Sequence, residues 1–309
     1  MAKSPNLSKA VNIGKKLAAT TLKRREKVIK ERERALAKAK VKAPVLVRKG
    51  RGLAKAPMTH ASAGVLIAEG DSWFDYPLQD VLSKLEDKFG FDVESVSHKG
   101  DTVEDMAYSD GQLDDFSRQV EKVLRTGVEP RAILLSGGGN DVAGDEFAIL
   151  LNHAASSIAG LNEAIVTGVI DQRIRDAYIT ILSAITEICK AHIGHPIKIV
   201  VHGYDYPVPD GRGFLGGGGP LPGPWLEPGF RRKGYSVMIE RKQLCVKLID
   251  RFNAMLAGLA GKAPFTHVNF LDLRNTLPTG ASYKQWWGNE LHPTAKGYEA
   301  VARKFAAAV

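Results

Sequence analysis

Five short apolar segments alternate with helix-like segments from Gly64 onward, and this alternation constrains the possible folds more than any other feature of the chain. The predicted strands are runs rich in Val, Ile and Leu, at residues 64–69, 92–97, 131–136, 197–202 and 267–271. Strands that alternate with helices form a parallel sheet with helices on both faces. The sequence therefore predicts a three-layer α/β/α sandwich around a central five-stranded parallel sheet.

Helices are predicted between these strands and after the last one, at residues 78–89, 102–126, 145–152, 171–192 and 235–259 and from Thr294 onward. A loop rich in Gly and Pro is predicted at residues 205–234, and it includes four consecutive glycines at 216–219. These glycines are not followed by the Lys-Ser or Lys-Thr pair of a phosphate-binding P-loop. No nucleotide and no other cofactor is therefore expected.

The charge of the chain is concentrated at its N-terminus. Residues 1–59 hold 18 Lys and Arg against 3 Asp and Glu, a net charge of +15, whereas the whole chain carries only +9. Residues 21–40 are mostly good helix formers, and residues 42–59 contain the Pro and Gly typical of a linker. The sequence therefore predicts a basic arm, helical or disordered, with its linker at 1–59, followed by one domain at 60–309.

Three interpretations of this arm remain open, because charge asymmetry concerns partners and not fold. The first is a solvated, partly disordered tail. The second is contact with an anionic membrane or an acidic partner, since clustered Lys and Arg are attracted to such surfaces. Nucleic acid is the least favoured partner, because no aromatic residues are interleaved with the basic ones and no known motif is present.

The sequence has no apolar run of about 18 residues and no apolar segment typical of a secretory signal at its N-terminus. A cytoplasmic location is expected by default, with peripheral membrane contact and non-classical export as alternatives. Cys189 and Cys245 lie in apolar helical contexts and are predicted to be inert buried thiols.

Three polar segments follow three different predicted strands, at residues 70–72, 137–141 and 289–293. Since the carboxyl ends of parallel strands meet at one edge of the sheet, these segments are expected to converge there. Ser72 is the candidate nucleophile and His292 the candidate base that takes its proton. Asn140 is a candidate donor to a developing oxyanion. The other histidines lack metal-ligand spacing such as HExxH, and no metal site is expected.

At these positions the chain resembles the SGNH (GDSL) hydrolase family. Gly70-Asp71-Ser72 matches the nucleophile block of that family, Gly100 its second block, Gly138-Gly139-Asn140-Asp141 its third, and His292-Pro293 the end of its last. The resemblance implies a flavodoxin-like sheet and a Ser-His centre that hydrolyses esters. It also implies an oxyanion hole made of the backbone N–H groups of Ser72 and Gly100 and the side chain of Asn140.

One position departs from the family pattern, because Asn289 stands where the family has an Asp three residues before the His. An Asn can hold the imidazole tautomer, as in Cys-His-Asn enzymes, but it cannot stabilise the imidazolium by charge. Three possibilities are open: Asn289 orients His292, Glu290 does so, or another group or a plain Ser-His dyad operates.

Two functional hypotheses follow from these residues. The first is a serine ester hydrolase that works through an acyl-enzyme on a small-molecule, lipid or carbohydrate ester. The alternative is a catalytically weakened binding or interaction module with the same fold, or an effector that its basic arm directs to lipids or envelope polymers.

Overall fold

A computed structural model of the protein describes residues 5–38, 62–109, 111–217 and 221–309. Its strands are β1 (Gly64–Gly70), β2 (Phe91–Ser95), β3 (Ala132–Ser136), β4 (Leu151–Asn152), β5 (Gly160–Leu161), β6 (Ile199–His202) and β7 (Val268–Leu271). Five of them form a parallel sheet in the order β2-β1-β3-β6-β7, and β4 pairs with β5 in a separate antiparallel ribbon. The predicted central sheet and its strand count are confirmed.

The order of the strands places a topological switch point between β1 and β3. β1 pairs with β2 on one side and with β3 on the other. The chain therefore first forms the neighbouring strand on one side of β1 and then crosses over to form the strand on its other side. All five residues of β3 are buried, as expected for a strand whose two faces are both covered by helices. Ligands of open parallel sheets bind at the carboxyl edge of such a switch point. In this chain, Ser72 follows β1 and Asn140 follows β3.

The described part of the chain holds nine α-helices: α1 (Pro5–Lys38), α2 (Val81–Phe89), α3 (Val103–Tyr108), α4 (Gln112–Leu124), α5 (Glu163–Val166), α6 (Arg175–Ile193), α7 (Glu227–Arg232), α8 (Met238–Leu259) and α9 (Ala295–Ala308). A π-helix covers Thr167–Ile174, and 3-10 turns cover Asp145–Leu150, Phe214–Gly216 and Tyr283–Gln285. α2 packs against α9, while α6 packs against α3, α4 and α8, so that two groups of helices flank the sheet.

Local capping accounts for several differences from the predicted helices. α2 begins at Val81 and not at residue 78, because Asp80 and Ser83 form a reciprocal capping box. The single helix predicted at 102–126 is two helices, because Gly111 adopts a left-handed conformation between them.

Three further predictions of secondary structure are corrected. The helix predicted at 145–152 is a 3-10 turn that ends in β4. The helix predicted at 171–192 begins within the π-helix. The predicted loop at 205–234 contains α7, whose first turn holds a proline at a position that tolerates it.

The first part of the basic arm is packed against the body of the protein. Ala10 and Ala18 of α1 are buried, and a Cβ on Gly14 would overlap the carbonyl oxygen of Thr180 in α6. These three small residues recur every four positions and therefore share one face of α1, which lets the two helices approach closely. The interpretation as a solvated tail is therefore wrong for this part of α1, while the predicted linker at 42–59 lies outside the described residues.

Cys189 and Cys245 are both free and buried, as predicted. Burial raises the pKa of the Cys189 thiol to about 12 and raises that of Cys245 as well, which keeps both thiols protonated and unreactive. None of the helices in the described ranges is long and apolar enough to cross a membrane.

Candidate active site

Ser72 lies in a tight turn at the carboxyl end of β1. The turn closes through hydrogen bonds from the backbone N–H groups of Phe74 and Asp75 to the carbonyl oxygen of Asp71, at 3.0 and 3.1 Å. A Cβ on Gly70 would collide with Ser136 and Phe74, so only glycine allows the chain to turn at this point. Ser72 is half-buried, and its hydroxyl points towards the loop that precedes α9.

Asp71 holds this turn in place through hydrogen bonds to its neighbours. Its Oδ1 accepts hydrogen bonds from the backbone N–H of Trp73 at 3.0 Å and from the Ser136 hydroxyl at 2.9 Å. Its Oδ2 accepts from the hydroxyl of Tyr204, which in turn accepts from the backbone N–H of Gly139. The carboxylate therefore ties the turn after β1 to the loop after β3.

The structure brings His292 into direct contact with Ser72, 220 positions away in the sequence. The Ser72 Oγ and the His292 Nε2 are 2.7 Å apart. On the other side of the ring, the His292 Nδ1 lies 3.0 Å from the Asn289 Oδ1. Asn289, one of three predicted possibilities, is thus the group that contacts the imidazole. Both Asn289 and His292 are buried.

The neighbours of Asn289 determine which way its amide faces. Its Oδ1 accepts hydrogen bonds from the backbone N–H groups of Leu291 and His292, at 3.0 and 2.9 Å. Its Nδ2 donates to the Tyr76 hydroxyl at 2.9 Å. Because Oδ1 is an acceptor only, the His292 Nδ1 must carry the proton, which leaves Nε2 free to accept the proton of Ser72. The amide therefore selects the tautomer that a general base requires.

Two aromatic rings enclose the imidazole. Tyr76 stacks on His292 with ring centroids 4.2 Å apart, and Trp225 meets the ring edge-on at 5.3 Å. The sequence places Tyr76 near Ser72 but shows no sign that its hydroxyl contacts Asn289. Burial among these groups lowers the pKa of His292 to about 3, since the charged imidazolium loses its hydration.

Glu290 does not orient the histidine. Its two carboxylate oxygens accept hydrogen bonds from four backbone N–H groups, at 2.7 to 3.1 Å, on Gly211, Trp225, Leu226 and Glu227. Burial raises the pKa of this carboxyl group, while those N–H donors oppose the shift. Glu290 thus fastens the loop that carries His292 to the long loop after β6. Sequence reasoning missed this role, because its partners lie more than sixty positions away.

The predicted oxyanion residues lie on the loops after β2 and β3. The Asn140 Nδ2 donates to the carbonyl oxygen of Asp101 at 2.9 Å, which places Asn140 beside the loop that contains Gly100. That loop joins the nucleophile turn through two hydrogen bonds, His98 N–H to Gly70 O at 2.9 Å and Lys99 N–H to Asp75 Oδ2 at 3.0 Å. Gly100 itself is exposed and adopts a left-handed conformation, with φ of 94°.

Ser72, Asn140 and His292 all line one pocket, whose remaining walls are largely apolar. Within the ranges that the structure describes, no three His, Cys, Asp or Glu side chains are grouped so that they could hold a metal ion. The arrangement offers a nucleophile, a base in the matching tautomer and an amide donor at one end of an apolar pocket. Such a set of groups is suited to acyl transfer.

Comparison with protein families agrees with this chemistry. The model of the GDSL-like lipase/acylhydrolase family matches residues 62–300. No curated protein matches the chain. Similar solved structures include a Parabacteroides merdae protein described as a GDSL-like lipase (13% identity, 80% of this chain and 95% of that chain, TM-score 0.39). Another is a Geobacillus stearothermophilus acetylxylan esterase (14% identity, 81% of this chain and 95% of that chain, TM-score 0.37). A third is a Talaromyces cellulolyticus carbohydrate esterase of family 3 (13% identity, 79% of this chain and 95% of that chain, TM-score 0.37).

Proposed function

The chain belongs to the GDSL-like lipase/acylhydrolase family, and from that premise we propose that it is a serine hydrolase of carboxylic esters. The observation that carries the proposal is the continuous hydrogen-bonded series from the Ser72 Oγ through His292 to the Asn289 Oδ1, with distances of 2.7 and 3.0 Å. A nucleophile, a base within hydrogen-bond reach and a group that orients the base are the structural signature of nucleophilic catalysis.

In the first half of the reaction, the Ser72 Oγ forms a bond to the acyl carbon as its proton moves to the His292 Nε2. The carbonyl oxygen becomes an oxyanion. When that intermediate collapses, the bond between the acyl carbon and the alcohol oxygen breaks, and Nε2 gives its proton to the departing oxygen.

In the second half, water attacks the acyl-enzyme while His292 takes one of its protons. Collapse of this second intermediate breaks the bond between the acyl carbon and the Ser72 Oγ, and the proton returns to Ser72. One ester and one water thus give one alcohol and one acid. The oxyanion in both halves is assigned to the backbone N–H groups of Ser72 and Gly100 and to the Asn140 Nδ2.

Asn289 contributes orientation without charge in this scheme. In trypsin, exchanging the triad Asp for Asn lowers kcat about 10⁴-fold, because the imidazole takes the wrong tautomer. Here the Asn289 Oδ1 already accepts from the His292 Nδ1, so that part of the loss does not arise. This geometry favours an active enzyme over the alternative of a weakened binding module.

Hydrolysis of p-nitrophenyl acetate and butyrate tests the proposal. Wild type is expected to turn over at least one of these esters, and Ser72→Ala is expected to lose that activity. Ser97→Ala is a matched control, because the Ser97 hydroxyl accepts a hydrogen bond from Ser95 and does not line the pocket. Equal rates for wild type and Ser72→Ala would refute the assignment of the nucleophile.

A fluorophosphonate probe separates the enzyme from the binding module. Labelling of Ser72 that disappears in His292→Ala supports an activated serine. Intact, folded wild type that takes up no label and hydrolyses no ester would favour the binding module.

A further inference from the structure

The pocket beside Ser72 extends into the interior of the protein, between α8, the π-helix and the 3-10 turn before β4. Much of its lining is apolar and includes Phe147, Ile170, Leu226, Cys245, Leu248 and Phe252. All six side chains are buried. Two carboxylates, Asp71 and Asp205, also line the pocket.

Neither carboxylate is free to bind a polar substrate group. Asp71 is occupied by the turn and by Tyr204, as described above. Asp205 accepts from the backbone N–H groups of Tyr206 and Asn275 through Oδ1 and from that of Leu277 through Oδ2, at 2.6 to 2.8 Å. The interior of the pocket therefore offers apolar surface together with carboxylates that protein donors already satisfy, an environment that suits a hydrocarbon chain and disfavours a sugar.

The wall formed by the π-helix is held rigidly to α8. Arg251 of α8 donates to the Asp171 carboxylate through Nε at 2.9 Å and through Nη2 at 2.6 Å, and Nη2 also donates to the Thr167 hydroxyl at 2.6 Å. π-helices are rare and are found mostly at functional sites. Here the widened turn contributes Ile170 to the pocket, and the network around Arg251 ties the π-helix that carries Ile170 to α8, which carries Leu248.

The size of the pocket limits the length of a bound chain. The cavity has a volume of about 70 Å³, which is several times the volume of about 10–15 Å³ that one water-sized group needs. The pocket therefore has room for several groups of that size. Along α8, Cys245 and Phe252 are about 10 Å apart at the helical rise per residue. Both the volume and the distance along α8 fit a short aliphatic chain. An acetyl group would leave most of the pocket empty.

We propose that this pocket binds the acyl chain of the ester and that it selects straight-chain acyl groups of about four to six carbons over acetyl. This inference rests on the proposed function, since it requires an acyl group on Ser72. Each methylene that enters the pocket is expected to raise kcat/KM about fourfold. Butyrate should therefore exceed acetate by about fifteenfold, and chains longer than the pocket should lose the advantage.

The test compares kcat/KM for p-nitrophenyl esters of two, four, six and ten carbons, each corrected for its rate of alkaline hydrolysis. A maximum at four or six carbons is expected. Highest activity on acetate would overturn the proposal and leave the proposed function intact. Failure of every ester, with wild type no better than Ser72→Ala, would instead refute the proposed function.

Two substitutions at Leu248 change the pocket in opposite directions. Leu248→Phe shortens it and should lower the hexanoate-to-acetate ratio at least tenfold, whereas Leu248→Ala lengthens it and should move the optimum to longer chains. Leu244→Phe is the matched control, because Leu244 is a buried leucine on the same helix that does not line the pocket. Its ratio should equal that of wild type.

Thermal melts establish that each variant is folded before its ratio is used. If Leu248→Phe does not fold, Leu248→Ala alone decides the question. An unchanged chain-length profile in every folded Leu248 variant would overturn the assignment of the pocket.

Discussion

Replacing Asn289 by Asp should move the acidic limit of activity towards neutral pH. The proposed base works only when it is neutral, so activity is expected above the pKa of His292 and should be lost below it. Burial lowers that pKa to about 3, and the side chain at the Nδ1 position is an uncharged amide. We therefore expect wild-type kcat/KM to stay level from neutral pH down to about pH 4. Asn289→Asp places a carboxylate 3.0 Å from the Nδ1 and favours the imidazolium.

The size of the change follows from Coulomb's law. Two unit charges about 4 Å apart interact by about 4 kcal/mol at an effective dielectric constant of about 20. At 1.36 kcal/mol for each pKa unit, this raises the pKa of His292 by about three units. The acidic limit should therefore lie near pH 6 in Asn289→Asp. The same carboxylate stabilises the imidazolium that forms during turnover, so the variant should be faster than wild type at pH 8.

Acid unfolding must be separated from titration of the base. The folded pKa of His292 lies below the unfolded value of about 6.5, so the unfolded state binds the proton more readily and stability falls as the pH drops below 6.5. The loss approaches about 5 kcal/mol near pH 3. In Asn289→Asp the pKa of His292 is higher, and this loss of stability is therefore smaller. Compared with wild type, the variant should lose activity at a higher pH and yet unfold at a lower pH.

The assay is the pH profile of kcat/KM between pH 4 and 9, with far-ultraviolet circular dichroism recorded on the same samples. Asn289→Ala serves as a control, because it removes the orienting group without adding charge. It should lower activity at every pH and leave the acidic limit where wild type has it. Coincident acidic limits in wild type and Asn289→Asp, both in folded protein, would refute the reasoning.

Three further predictions concern groups around the site and the sheet. Tyr76→Phe removes the acceptor for the Asn289 Nδ2 and should lower kcat about tenfold with little change in KM, measured by steady-state kinetics. Glu69 is buried, and burial raises the pKa of its carboxyl group to about 9. In the folded protein Glu69 therefore keeps a proton that the unfolded chain releases above about pH 4.5. Because of this difference, the stability of the fold decreases as the pH rises from about 4.5 towards 9. Glu69→Gln should therefore stabilise the protein by several kcal/mol in urea unfolding at pH 8, and by much less at pH 5. Gly14→Leu should separate α1 from α6 and speed limited tryptic cleavage within α1 about tenfold.

How much the sequence could predict depends on how local the signal is. β1, β3 and β6 are continuous apolar runs, and the structure places them within about two residues of the prediction because buried parallel strands have that pattern. The docking of α1 was not predicted. Ala10, Gly14 and Ala18 form its buried face, and small residues do not produce a hydrophobic stripe even though their spacing of four is visible in the sequence.

The same distinction applies to the candidate site. Ser72, Asn140 and His292 could be singled out because each follows a strand or lies in a recognisable block. The roles of Tyr76 and Glu290 could not, because each contacts groups that only the folded chain brings near. The Tyr76 hydroxyl meets an amide 213 positions later, and Glu290 collects backbone N–H groups from the long loop after β6.

In the usual triad a single Asp orients the imidazole and stabilises the imidazolium by charge, whereas the loop that carries His292 provides the orientation alone. A carboxylate is present at Glu290, but it is occupied by four backbone N–H donors and anchors the loop. Orientation of the imidazole comes from Asn289, and the rings that enclose it, Tyr76 and Trp225, are uncharged. In the proposed mechanism, the imidazolium therefore has no negative side chain in contact with it among the described residues. That mechanism requires the cost of the imidazolium to be offset at the other end of the reacting bond, by the donors proposed for the oxyanion, such as Asn140.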